Sequence, residues 1–284
     1  MSYEARLEKG VRVKLKFKYF ILILTAFDLI SCAESPTSQL SEEFPVLRSG
    51  PFGMNFSFIP RGHFEMGSPD DEEGRSNDET LHWVKISKDY WMQTTEVTRG
   101  QWFAVMGYYP KVCGPVVERP EFPVTCVTWN EVNNFVVKLN NKVKKDGYEY
   151  RLPTEAQWEY AARAYTQTAY SVEGLLDSFG WYYYNSKDSL HPVAQLKVNN
   201  FGLYDVHGNV AELVSDLYGP YPEITSPKYA AKDPKGPLSQ FNISIVRGGA
   251  RYNSELGCRL ASRVRVSRSA RDSNFGFRLV REEL

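Results

Sequence analysis

Tyr150-Arg-Leu-Pro-Thr-Glu-Ala-Gln-Trp-Glu-Tyr-Ala-Ala-Arg163 contains a helix start that can be read residue by residue. Thr154 with Gln157 matches a capping box, in which hydroxyl and amide side chains each satisfy a backbone N–H of the first turn. Pro153 stands just outside, and Trp158, Ala161 and Ala162 give the helix a side to bury. The same grammar recurs at Thr98-Arg-Gly-Gln101 and Thr128-Trp-Asn-Glu131. After Thr128 comes the longest helical candidate, about Trp129–Lys145, with Val132, Phe135, Val136 and Leu139 on one face. It ends in a lysine-rich turn near Gly147, as suits a helix C-terminus. Short strands are expected at Phe56–Pro60, Trp83–Ile86, Asp89–Met92, Ser244–Arg247 and Phe275–Val280. With no repeat and no long parallel-sheet alternation, the class is α+β with much irregular chain.

Composition agrees. Apolar residues make up 42% and charged residues 24%, ordinary for a globular protein. The aromatics are plentiful, with 6 Trp, 18 Tyr and 16 Phe beside 20 Gly and 16 Pro. A loop-rich domain whose core is built from rings follows. Lys plus Arg equals Asp plus Glu at 34 each, so a nucleic-acid partner is not expected.

The first residues differ from the rest. Arg6, Lys9, Arg12, Lys14, Lys16 and Lys18 precede an apolar run from Tyr19 that holds a lone Asp28 and ends in Leu29-Ile30-Ser31-Cys32. That run is roughly 12 residues, against about 20 for a bilayer-spanning helix. It reads as a signal segment over residues 1–31, cut before Cys32. Leu-Ile-Ser-Cys resembles the bacterial lipobox, which implies lipidation of Cys32 and anchoring to a membrane of the cell envelope. An ordinary signal peptide with an incidental cysteine is the other reading. Residues 32–50 read as a polar tether and 51–284 as one domain.

Seven stretches, in order, resemble the formylglycine-generating enzyme (sulfatase-modifying factor) family: Phe58–Ser68, Thr95–Trp102, Pro123–Trp129, Tyr150–Arg163, Asn200–Glu212, Val246–Gly249 and Phe275–Arg281. The resemblance implies a variant of the C-type lectin fold, low in regular secondary structure. It also implies copper(I) held by two cysteines, the soft ligands that oxidation of a client cysteine to formylglycine employs. Those positions fall on Asn253 and Cys258, so one ligand is missing and Ala250 replaces the family serine after Gly-Gly. Copper and formylglycine chemistry are therefore not expected. Cys258 is then either a small buried hydrophobe or a reactive thiol of an envelope oxidoreductase.

A structural calcium site is implied at Asp205-Val-His-Gly-Asn-Val-Ala-Glu212, with the Asp205 and Glu212 carboxylates and the Gly208 and Val210 carbonyls as ligands. The alternative is that Asn209 and Glu212 tie a turn without metal. A second family site keeps only Asn185 and the Ser186 carbonyl and is not expected to be filled. The 4 histidines lack metal-ligand spacing. Cys113 and Cys126 flank a loop suited to a disulfide.

Arg247–Arg281 holds nine arginines. They form either a groove for an acidic ligand or buried partners for Glu96, Glu155, Glu159 and Asp216. Trp181, Tyr182, Tyr183 and Tyr184 suit recognition of a protein or glycan, or core packing. The functional expectation is a membrane-anchored module for binding or assembly.

Overall fold

Each of the three capping boxes closes as the sequence predicts. The computed structural model describes residues 45–114, 119–171, 174–237 and 243–284. The stretch read as a signal segment, Cys32 and most of the stretch read as a tether lie outside them. All described residues belong to one unit, Glu42–Leu284. Helix α1 spans Arg99–Met106, α2 Trp129–Lys142 and α3 Glu155–Arg163. At α3 the Thr154 hydroxyl accepts from the Gln157 amide at 3.1 Å, and the Gln157 side chain accepts from Thr154 N–H at 3.1 Å. Helix α2 stops at Lys142, short of the lysine-rich turn. Val143 has left helical geometry there, and the chain turns through Gly147 at φ 83° into the strand Tyr148–Arg151.

A five-stranded sheet runs in the order Leu47–Ser49, Asn55–Ile59, Tyr90–Gln93, Val280–Glu283, Tyr148–Arg151, antiparallel throughout. Among the described residues, it thus unites the first strand with the last. Helices α1 and α2 contribute to the ring-built core on this sheet. There Trp102 stacks on Phe135 at 5.2 Å and meets Phe277 edge-on at 6.3 Å, with Phe56 and Tyr150 in the same cluster. A second core gathers Trp158, Ala161 and Ala162 of α3 with Val84, Ile86 and Ile245. Those three come from two smaller sheets, one ordered Ala231–Lys232, His82–Ile86, Gly62–Met66 and the other Arg263–Ser267, Ile243–Arg247, Ala211–Leu217, Phe275–Gly276.

The predicted strand Phe275–Val280 is in fact two. Phe275–Gly276 pairs with Ala211–Glu212, whereas Val280 and Arg281 pair with Met92 and Trp91. Between them Arg278 is fully buried and bonded to Glu212, so the chain leaves one sheet for another around a fixed guanidinium. Cys113 and Cys126 are joined by a disulfide.

Most of the C-terminal arginines do structural work. Arg247 reaches Glu155 at 2.8 Å and Glu159 at 2.5 Å; Arg263 takes both oxygens of Glu155 at 2.7 and 2.9 Å. Arg247 and Arg263 thus lash α3 to two strands of the four-stranded sheet by charge-assisted bonds, and Arg163 bonds Glu159 within the helix. Two expected pairings are corrected. Glu96 and Asp216 have no arginine in bonding contact among the described residues. Their place is taken by Glu79, which holds Arg259 bidentately at 2.8 Å, and by Glu212.

Candidate functional site

The strand Ile243–Arg247 ends in Gly248 and Gly249, both at positive φ. A Cβ on Gly249 would lie 2.6 Å from the Gly257 carbonyl and 2.7 Å from Cys258 Sγ, so the two limbs of this loop touch only because glycine stands there. Beyond it the chain closes a turn: Asn253 N–H donates to the Ala250 carbonyl at 2.9 Å, and Asn253 Oδ1 accepts from Ala250 N–H at 2.8 Å. The Asn253 carbonyl accepts from Tyr183 N–H at 2.9 Å. Its side chain is thus a turn brace.

Cys258 is fully buried, packed with Leu176 and Tyr182. Burial pushes its thiol up to about 12, so it stays protonated at neutral pH. Its carbonyl accepts from Nδ1 of the buried His207 at 2.9 Å. The other described cysteines are spent in the disulfide. An occupied amide and a protonated, enclosed thiol do not fit copper(I), which wants two thiolates. A nucleophile needs an accessible thiolate, and the Cys258 sulfur is enclosed and protonated.

The Asp205–Glu212 segment is built by backbone constraint. Asp205, Gly208 and Asn209 all take positive φ, and a Cβ on Gly208 would sit 2.0 Å from the Trp181 carbonyl. Glu212, read as a ligand carboxylate, spends its oxygens elsewhere. Arg278 reaches both at 2.7 Å and Trp158 Nε1 adds a bond at 2.8 Å. The acid that faces Asp205 is Glu96, which sequence reasoning assigned to an arginine.

Asp205 Oδ2 accepts from Ala194 N–H at 2.8 Å, and Glu96 Oε1 accepts from Asn209 Nδ2 at 3.1 Å. Asp205 Oδ1 and Glu96 Oε2, both buried, have no donor from any other described residue and face each other across a hydrogen bond that needs a proton on one of them. Burial, then the charge of the neighbouring acid, pushes the Glu96 carboxyl well above its usual range, and burial lifts Asp205 to about 6. Two buried carboxyls that meet only each other suit a hard cation in place of the shared proton. Among the described residues no three His, Cys, Asp or Glu side chains gather as a metal set, so backbone carbonyls would supply the remaining ligands.

The aromatic run divides. Trp181 stacks on His191 at 3.7 Å and Tyr182 is buried with its hydroxyl on Asp177. Tyr183 and Tyr184 are 63% and 72% exposed, their rings edge-on at 5.3 Å. Tyr252, which the sequence did not single out, is 46% exposed on the Asn253 turn. The backbone bond from Tyr183 N–H to the Asn253 carbonyl joins the two segments that carry these tyrosines.

Residues 49–283 match the family model described as a sulfatase-modifying factor enzyme 1-like domain. The chain belongs to this family. Among curated proteins this family member is 24% identical to the chaperone protein LppX of Paenibacillus barcinonensis, over 84% of this chain and 94% of that one. It is 29% identical to the formylglycine-generating enzyme of Thermomonospora curvata, over 64% of each chain. It is 27% identical to the serine/threonine-protein kinase pkn1 of Chlamydia caviae, over 84% of this chain but only 40% of that one. The chain therefore spans less than two thirds of the length of two of these relatives. Among solved structures, PvdO from Pseudomonas aeruginosa superposes with a TM-score of 0.73 at 26% identity, covering 85% of this chain and all of that one. Treponema denticola variable protein 1 superposes at 0.71 with 28% identity, covering 83% of this chain and 99% of that one. The α+β, sheet-rich fold with few helices is the fold of this family.

Proposed function

We propose that this sulfatase-modifying-factor-like chain is an envelope lipoprotein that binds or helps assemble another envelope component and does not oxidise a client cysteine. The burial of Cys258, with Asn253 locked in a turn where a second thiolate would be needed, carries the reading. Residues 1–31 act as the signal segment, lipidated Cys32 holds the chain to a membrane, residues 32–50 tether it and residues 51–284 bind. No helix among the described residues is long and apolar enough to cross a membrane. The LppX relative is a chaperone protein, which accords with an assembly role. Tyr183, Tyr184 and Tyr252 offer a protein or glycan ligand amphipathic rings on a rigid loop, at little entropic cost. Calcium, held through Asp205 and neighbouring carbonyls with Glu96 as the added acid, keeps that loop in shape.

Titration of the full chain with copper(I), beside the Cys258→Ser variant, tests the reading. Weak binding unchanged by the substitution is expected. Tight binding abolished by it would overturn the proposal and restore an oxidase. Metabolic labelling with a radioactive fatty acid tests the anchor: label is expected on the wild type and absent from Cys32→Ser.

A further inference from the structure

A cavity of about 290 Å³ opens between α3 and the segment Gly219–Pro237, away from every residue of the candidate site described above. It is at the small end of ligand pockets, suited to a short ligand or one side chain. Met66, Ala156, Pro222 and Pro234 line it with apolar surface. Three of its charged groups cancel or fall silent. Arg263 and Glu155 neutralise each other in a bidentate pair, and burial lowers the His82 pKa, so its imidazole is neutral near pH 7. Lys235 is exposed at the rim.

Asp216 is different. It is 4% exposed, and its Oδ2 accepts from Glu155 N–H at 3.0 Å and Ser215 Oγ at 2.9 Å. These bonds explain one oxygen, which caps the start of α3. No described residue bonds Oδ1, which faces Gly236. A Cβ on Gly236 would lie 3.2 Å from Oδ1 and 2.9 Å from the Leu217 carbonyl, so glycine at φ 69° keeps the oxygen open to the cavity. With one oxygen open to the cavity and no arginine on the other, this enclosed carboxylate is poorly compensated: burial, then the neighbouring Glu155 charge, pushes its pKa up to about 7, and a cationic donor relieves that cost most fully.

We propose that this cavity binds a primary alkylammonium group, its head on Asp216 Oδ1 and its chain against Met66 and the prolines. An anion is refused by Asp216, and a bare metal ion would leave the apolar wall unused. The group could arrive as a free amine or as a lysine side chain of a partner; the head chemistry is the same.

The test uses full-length protein labelled with ¹³C at its methionine methyls, with the Met66 signal assigned from Met66→Leu. n-Butylammonium chloride is expected to move that signal saturably, whereas sodium chloride and n-butanol at equal concentration do not. Asp216→Asn keeps an acceptor for Glu155 N–H and should weaken butylammonium binding about tenfold or more. Gly236→Ala, which crowds Oδ1 without removing either hydrogen bond of Oδ2, should do the same. Lys235→Ala should bind at least as well as wild type. Equal response to butylammonium and butanol, or undiminished binding by both Asp216→Asn and Gly236→Ala, would overturn the proposal. Nα-acetyl-lysine methylamide distinguishes the sources: equal affinity assigns the site to a lysine side chain, and binding of butylammonium alone assigns it to a free amine.

Discussion

Two clusters of buried carboxylates in this molecule have opposite surroundings. Glu155 and Glu159 on α3 meet Arg247, Arg263 and Arg163, with every bond between 2.5 and 2.9 Å. Glu96 and Asp205 are as deeply buried, yet the guanidinium nearest them, on Arg278, is bound to Glu212 instead. In the first cluster every carboxylate oxygen has an arginine donor, and only Arg247 Nε is without a partner among the described residues. The second has two oxygens that meet only each other, and carboxyls that hold their protons abnormally tightly. A buried acid with fixed cations is framework, and a buried acid without them is a place for a proton or a cation.

The largest test strikes the framework. Glu159→Ala removes the partner shared by Arg247 and Arg163 and leaves two buried guanidinium groups under-bonded. A loss of about 3–5 kcal/mol in urea unfolding is expected, because breaking a buried pair strands its charge. A loss below about 1 kcal/mol would mean that water or rearrangement satisfies the arginines, and the contrast between the clusters would fail.

The second test reads the unpartnered pair through pH. Asp205 titrates near 6 when folded, against an ordinary 3.8, so folding favours its protonated form. Its contribution to stability is full below about 3.8 and is lost as pH rises through about 6. Relative to Asp205→Asn, wild type kept in a chelator should therefore lose on the order of 2 kcal/mol between pH 4 and 7.5. Calcium added at pH 7.5 should restore wild type and leave Asp205→Asn unmoved. Parallel pH curves for the two proteins would remove the pair's special status. A restored slope without a calcium effect would make it a proton site only.

Much of the framework was legible because local rules governed it. Thr98, Thr128 and Thr154 announced three helices through bonds spanning three residues, and no distant contact overrode them. The ring-built core followed from composition. Partner choice was not legible. Glu96 reads like any acid before a helix, and nothing local says that Arg278, 182 positions later by number, will choose Glu212 over it. The strand Ala211–Leu217 was hidden for a related reason, since its first residues were read as a metal loop. Asp216 was expected to meet an arginine and instead meets the α3 backbone, because Arg247 and Arg263 are taken up by Glu155 and its neighbour on the next turn.

The smallest expected effect sharpens the comparison from the solvent side. Arg48 and Glu283 form the same kind of pair at 3.8 Å, with side chains 54% and 69% exposed. Water already solvates both ends, and two long side chains lose freedom to meet. Glu283→Gln keeps size and polarity and removes only the charge, while Arg48 retains its bond to Tyr148 Oη at 3.0 Å and its place over the Trp91 ring. The change in unfolding free energy should be under about 0.5 kcal/mol and should shrink further as salt is raised. If it instead approached the Glu159→Ala value, burial would not be what separates these pairs. The stability of the arginine frame would then come from ion pairing as such. A small value assigns it to enclosure, where a charge that has lost water has no substitute for its partner.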